Sequence, residues 1–138
     1  MTKKVCLVIG AGGGIGANIA RKFAVEGYHS CLARRTDQEG LDKWIKNIEA
    51  EGAEASGFLM NAIEEGSIEK LIKDIEEGIG PIDTLVYNLG AQTGMKLLSQ
   101  TTYKEFEWGW KMASFGLFRV AKMLCPLMVE RGKGTILV

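Results

Sequence analysis

Two apolar patterns alternate along the chain. In one, apolar residues run together without regular interruption, as in KVCLVIG at 4–10, HSCLAR at 29–34, IDTLVY at 82–87 and GTILV at 134–138. All four runs predict strands, and the one at 4–10, apolar without strict alternation, predicts a buried strand. A weaker run, AEASGFLM at 53–60, carries a glycine and predicts a further strand, third in chain order. In the other pattern apolar side chains return every three or four residues, which lines them along one side of a helix. Ile15, Ile19 and Phe23 predict a helix over 15–26 that Gly27 stops. Leu41, Ile45 and Ile48 predict another over 37–52. Ile68, Leu71, Ile72 and Ile75 predict a third over 68–78, with Ser67 as its N-cap. After a polar stretch at 88–100, a long helix is predicted over 102–130, with Phe106, Trp110, Ala113, Leu117, Ala121, Leu124 and Met128 along one face. Pro126 is expected to kink that helix or end it early.

Strand and helix alternating throughout predict an α/β protein: a parallel sheet with right-handed crossovers and helices on both faces. Sheets of this kind bind ligands beyond the carboxyl ends of their strands, near the point where strand order reverses. The first four strands end at Gly10, at Arg34, near Asn61 and at Asn88, and the chain's distinctive residues gather at those ends. With 138 residues, 46% hydrophobic and 25% charged, the chain is long enough for one domain with a real core. A formal net charge of zero gives no reason to expect nucleic acid or an anionic membrane as partner. No stretch is expected to span a bilayer, and the apolar run from Val5 to Ile9 is too short for a signal peptide. Cys6, Cys31 and Cys125 lack metal-ligand spacing and sit in apolar runs, which favours a reducing compartment and a cytoplasmic location.

Between the first strand and the first helix, five of seven positions are glycine: Gly10, Gly12, Gly13, Gly14 and Gly16. A loop there presents backbone N–H groups at a helix N-terminus, where the dipole favours an anion and a missing Cβ lets a phosphate approach. The strict G-x-G-x-x-G spacing fails, because Ile15 and Ala17 occupy the candidate last positions. G-x-x-x-G-x-G fits, from Gly10, Gly14 and Gly16. A tight turn without a ligand is the plain alternative, but it has no use for so many glycines, each of which costs unfolded-state entropy. S-adenosylmethionine and dinucleotides both bind such loops. Methyltransferases usually place an acidic residue at the end of the second strand, where this chain has Ala33, Arg34 and Arg35. Cations there suit a 2′-phosphate, so NADP is the expected ligand and NAD the alternative. An ordinary solvated turn is the other reading of the arginine pair.

Taken in order, these segments resemble the short-chain dehydrogenase/reductase family over the whole chain. Gly10, Gly14 and Gly16 sit where that family carries T-G-x-x-x-G-x-G, with Ile9 in place of the threonine. YNLGA at 87–91 is similar to its N-N-A-G segment; Asn88 and Gly90 match, whereas Tyr87 and Leu89 depart. MNA at 60–62 lies where the family often has an aspartate touching adenine, so Asn61 and Ala62 fall there. ASFGLF at 113–118 resembles N-x-x-G-x-F, with Gly116 and Phe118 matching and Ala113 replacing the asparagine. The resemblance implies a Rossmann-type doubly wound parallel sheet of five strands in the order 3-2-1-4-5, truncated after the fifth. Residues 1–138 would then be one dinucleotide-binding domain, incomplete at its C-terminus. Cofactor contacts are expected from Gly10, Gly12, Gly13, Gly14, Ile15 and Gly16, from Arg34 and Arg35, from Asn61 and Ala62, and from Asn88 and Gly90. No metal is expected.

The activity that the resemblance implies is hydride transfer between NADP(H) and a small-molecule carbonyl or alcohol. In that family a tyrosine is the general acid or base, a lysine four residues later lowers its pKa, and a serine holds the substrate oxygen. At that distance Tyr28 is followed by Leu32, Tyr87 by Ala91 and Tyr103 by Glu107. No catalytic residue is therefore assigned, and the chain reads as the cofactor-binding front part of a longer reductase. A non-catalytic dinucleotide-binding module or sensor is the alternative. Ala113 lacks the donor of the asparagine it replaces, and Ser114 lies roughly 100° further around the helix. Gln92, Thr93 and Met95 are candidates for one wall of a substrate pocket, with a plain polar loop as the favoured reading. The family often packs its long helix against a second copy. Phe115, Phe118 and Lys122 lie off the main apolar stripe, so a homo-oligomer is expected.

Overall fold

The computed structural model describes residues 3–90 and 96–138; the candidates Gln92, Thr93 and Met95 lie outside the described residues. β1 (Val5–Ile9) shows why an uninterrupted apolar run makes a strand. All five of its residues are buried, and the alternation of side chains divides them between two cores. Val5, Leu7 and Ile9 join the layer built with α3 (Ser67–Gly78) and α5 (Gly116–Arg131). Cys6 and Val8 join the layer built with α1 (Ile15–Val25) and α2 (Gln38–Ala50). A strand covered on both sides has no use for a polar face.

β1 pairs with β2 (His29–Arg34) on one side and β4 (Ile82–Tyr87) on the other. β3 (Glu54–Leu59) lies outside β2, and β5 (Thr135–Leu137) outside β4. The order is β3-β2-β1-β4-β5 with every pair parallel, the sheet expected from the sequence. Ile9 pairs with both Ala33 and Tyr87, so the three central strands end level. The order reverses between β1 and β4, which opens a crevice above their carboxyl ends. α1 lies close over the sheet because its inner face is small: Gly16, Ala17, Ala20 and Ala24 are buried. The buried Ser30 hydroxyl in β2 donates to the Ala20 carbonyl at 2.7 Å, so the polar atom is satisfied.

Four expectations are corrected by the fold. Ser67 does not cap α3. The N-cap is Gly66, and the Ser67 hydroxyl instead donates to the Asn61 and Glu64 carbonyls at 2.7 and 2.8 Å. Pro126 does not end α5, which continues to Arg131; the proline sits on the exposed side of the helix, where the carbonyl its missing N–H leaves unpaired is not buried in the core. The long helix is α4 (Tyr103–Trp110), a π turn at Lys111–Phe115 and then α5, joined end to end. The extra residue in the π turn puts a constant apolar period out of phase. Phe106 and Trp110 are 71% and 48% exposed, whereas Val120, Leu124 and Met128 are buried. The helical run Tyr103–Arg131 is also long and apolar enough to cross a membrane, contrary to expectation. In this fold its inner face packs on the sheet as a core helix.

Candidate functional site

The glycine loop is built from two kinds of glycine. Gly10 has φ +90°, and the N–H groups of Gly10 and Ala11 both donate to the Ala33 carbonyl at 2.9 Å. The Asn88 N–H donates to the Ile9 carbonyl at 2.8 Å, and its side-chain amide donates to the Gly10 carbonyl at 3.1 Å. A Cβ on Gly10 would lie 2.8 Å from the Asn88 carbonyl carbon, and one on Gly16 would lie 2.9 Å from the Ala11 Cα. These two glycines let α1, β1 and the end of β4 converge. Gly12 and Gly14 differ, since a Cβ on either meets nothing within 4 Å. Gly13 faces the Trp44 indole nitrogen, 3.9 Å from where its Cβ would be. Ala17 N–H bonds the Gly12 carbonyl at 3.0 Å, and the Asn18 amide bonds the Gly14 carbonyl at 2.8 Å. Among the described residues no acceptor pairs with the N–H of Ile15 or Gly16, and the first turn of α1 holds no acidic side chain. The N-terminus of α1 is thereby left positive and open to an anion.

A cavity of about 310 Å³ lies over the strand ends. Its floor is Ile9, Gly10 and Gly12. One end is formed by Arg34, Arg35, Thr36 and Asn61, and the other by Asn88, Leu89, Gly90 and Met112. Arg34 is 17% exposed and pairs with Asp37 at 3.3 Å, whereas Arg35 is exposed. Asp37 has φ +69°, and its carboxylate caps α2 by accepting from Gly40 N–H at 3.0 Å. The Asn61 side-chain oxygen accepts from Ile63 N–H at 3.3 Å, which leaves its NH₂ group available to the cavity.

Arg119 holds the 61–69 loop from below. Its guanidinium donates to both carboxylate oxygens of Glu69 at 2.9 and 2.7 Å, to the Ala62 carbonyl at 2.6 Å and to the Glu64 carbonyl at 3.0 Å. Those bonds hold the Glu69 carboxyl below the ordinary carboxylate range. Tyr87 is buried at the end of β4 and donates to the Met112 carbonyl within the π turn; burial pushes its pKa up to about 12.

Of the expected site residues, Gly10, Gly12, Arg34, Arg35, Asn61, Ala62, Asn88 and Gly90 line this one cavity. Gly13, Gly14, Ile15 and Gly16 do not line it: Gly13 precedes the N-cap Gly14, and Ile15 and Gly16 open α1, with the Ile15 side chain 72% exposed. Met112, Asp37, Arg119 and Tyr87 were not singled out as site residues. Asp37 at the head of a helical pattern was the one with a local signal, since aspartate favours that capping position. The others act through partners 25 to 57 residues distant. Among the described residues no three His, Cys, Asp or Glu side chains gather where a metal ion could bind.

Helices on both faces of a parallel sheet, with a glycine-lined cavity at its switch point, define a Rossmann-type protein. The chain belongs to the short chain dehydrogenase family, whose family model matches residues 4–138. It is 33% identical over 135 residues to a fatty acyl-CoA reductase of Acinetobacter baylyi, covering 97% of this chain and 45% of that protein. Among solved structures, a variant of actinorhodin polyketide ketoreductase with NADPH is similar with a TM-score of 0.87 and 33% identity, covering 99% of this chain and 53% of the other. An NAD⁺-bound xylitol dehydrogenase is similar with a TM-score of 0.87 and 28% identity, covering 98% and 52%. The chain thus spans about half the length of the relatives it matches.

Proposed function

We propose that the cavity holds a nicotinamide dinucleotide, NADP(H) in preference to NAD(H), and that the protein transfers a hydride between it and a small-molecule carbonyl or alcohol. The observation that carries this reading is one cavity joining the glycine loop, the Arg34–Arg35 end and the Asn88–Gly90 end across the switch point. When bound, the nicotinamide supplies the hydride chemistry. The chain's own residues bind and orient. The N-terminus of α1 receives the pyrophosphate, the Asn61 amide faces the adenine, and Asn88 ties the Gly10 turn so that the loop keeps its shape. Arg35 is the freer cation for a 2′-phosphate, and Arg34 shares its charge with Asp37. The test is calorimetry on the Arg34→Ala/Arg35→Ala double variant. NADP should weaken by about 1.5–3 kcal/mol, the weight of a hydrogen bond to a charged group, with NAD nearly unmoved. Equal losses refute the preference.

No tyrosine of the chain is assigned the proton transfer. Tyr28 packs edge-on against Phe23 at 5.1 Å, Tyr103 is 96% exposed, and Tyr87 is bound to a carbonyl in the core. The second reading, a dinucleotide-binding module without catalysis, rests on that same placement. NADPH oxidation by the intact protein across a panel of carbonyl compounds separates the two. We place the protein in the cytoplasm because its cysteines are free, and burial holds the Cys6 and Cys31 thiols unreactive at about 12.

The protein is further proposed to self-associate. Exposed Tyr103, Phe106 and Trp110 continue across the π turn into exposed Phe115, Phe118 and Val129, with the Trp110 and Phe115 rings stacked at 5.2 Å. A stripe of this kind along one helix fits a second copy of itself. Phe118→Glu should shift the light-scattering mass of the intact protein to that of a monomer. A wild type already monomeric at micromolar concentration would refute the association.

A further inference from the structure

The π turn at Lys111–Phe115 is fastened by one side chain from the sheet. Tyr87 is 2% exposed at the end of β4 and packs in the same core as Val120 and Leu124 of α5. Its hydroxyl donates to the Met112 carbonyl. A π turn shifts its carbonyls out of the regular helical ladder, and this donor meets one of them. The slot for the phenol exists because residue 116 is glycine: a Cβ there would overlap the hydroxyl oxygen and stand 3.2 Å from the ring carbon that bears it. Met112 in turn lines the cavity at the Asn88–Gly90 end, opposite the arginines.

We propose that Tyr87 is a positioning residue. Its hydroxyl pins the π turn so that Met112 walls the end of the cavity that seats the nicotinamide half of the dinucleotide, not the adenosine half. The proposal rests on the dinucleotide reading above. The tyrosine and the glycine act as a pair, because Gly116 provides the space that the hydroxyl occupies. With its pKa raised to about 12 by burial, the phenol stays a donor at any working pH.

The test uses Tyr87→Phe, which keeps the ring, and Gly116→Ala, which displaces the hydroxyl, each in the intact protein. Calorimetry compares NADP with 2′-phospho-ADP-ribose, which lacks the nicotinamide. Tyr87→Phe should weaken NADP by about three- to tenfold, the weight of one neutral hydrogen bond, while the fragment binds as to wild type. Backbone exchange at Gly116 and Leu117 should quicken while that of β1 stays put. Gly116→Ala should reproduce the selective loss alone and add less when combined with Tyr87→Phe. Equal losses for both ligands, or unchanged exchange at the π turn, overturn the positioning role while leaving the dinucleotide reading intact. A wild type that binds neither ligand overturns the dinucleotide reading, and the positioning role with it.

Discussion

Alanine at Gly10 should cost the fold about 3 kcal/mol or more, whereas alanine at Gly12 should leave stability unchanged and cost only ligand affinity. Gly10 sits at φ +90° with its carbonyl and both neighbouring peptides tied to Ala33 and Asn88. A side chain there meets a backbone strain of roughly 1–2 kcal/mol. It also meets overpacking of roughly 1–3 kcal/mol against a peptide group that the β4 register holds in place. Gly16→Ala should behave similarly, because its Cβ would run into the Gly10 carbonyl and the Ala11 Cα, neither of which can rotate away. Losses of that size are a large part of the roughly 5–15 kcal/mol that holds a domain together. Gly12 lines the cavity and has open space where a Cβ would go. Gly12→Ala should therefore unfold in urea with wild-type midpoint and bind dinucleotide about tenfold more weakly, or 1.4 kcal/mol. Undiminished affinity in Gly12→Ala would mean that the open space is not where the ligand lies.

That contrast marks how far the glycine run could be read from sequence. The run itself announces a backbone approached closely, but not by what. The structure divides it. Gly10 is approached by Asn88 after β4 and Gly16 by Gly10 and Ala11, and Gly12 and Gly14 by nothing in the described chain. The spacing of the glycines carries no information on that division: Gly10 is approached by Asn88, far along the chain, and Gly16 by the Gly10 carbonyl and Ala11 as the positive-φ turn at Gly10 places them. The strands, by contrast, were legible from start to finish. Val5–Ile9 is apolar at both parities because both of its faces are covered, and the same holds at Ile82–Tyr87, where five of six residues are buried. Helix positions in α1 to α3 followed from periodicity; in α2 and α3 the predicted stripe faces inward, whereas α1 buries Gly16, Ala17, Ala20 and Ala24 and leaves Ile15 exposed.

The long helix was legible only in part. Its apolar repeat predicts Phe106 and Trp110 on the same face as Leu124 and Met128, and they are not. One inserted residue in the π turn rotates everything before it relative to everything after, and no single-residue signal in KMASF specifies that insertion. A tertiary contact meets the turn, the Tyr87 hydroxyl on the Met112 carbonyl, and its partner lies 25 residues away. At the cavity, Arg34 was legible as a cation at the end of β2. Its pairing with Asp37 follows from the positive-φ turn that brings the carboxylate back, a conformation that aspartate tolerates better than most residues. The arginine that does most for the loop over the cavity, Arg119, reads in sequence as one charge on an apolar helix.

Removing that charge should be the most damaging polar substitution in the chain. Arg119→Met keeps the length of the side chain and its packing among α3 and α5, but abandons both Glu69 oxygens and the Ala62 and Glu64 carbonyls. Stripping one partner from a fully buried pair costs about 3–5 kcal/mol. The Arg119 side chain is 9% exposed but that of Glu69 is 35%, so water recovers part of the loss, and about 2–4 kcal/mol is expected. The sign of the pH dependence follows from Glu69. Its carboxyl is held below the ordinary range chiefly by the Arg119 hydrogen bonds, so the stabilisation is present above the unfolded carboxylate pKa and is lost as pH falls through the lowered value. The stability gap between wild type and Arg119→Met should therefore be widest at neutral pH and narrow in acid, as read from urea denaturation at several pH values. Arg119→Lys should fall between them, because an ammonium keeps the charge but cannot span Glu69 and two carbonyls at once. A gap that stays constant with pH would show that the guanidinium acts through its carbonyl bonds alone and that the Glu69 pair adds nothing to the fold.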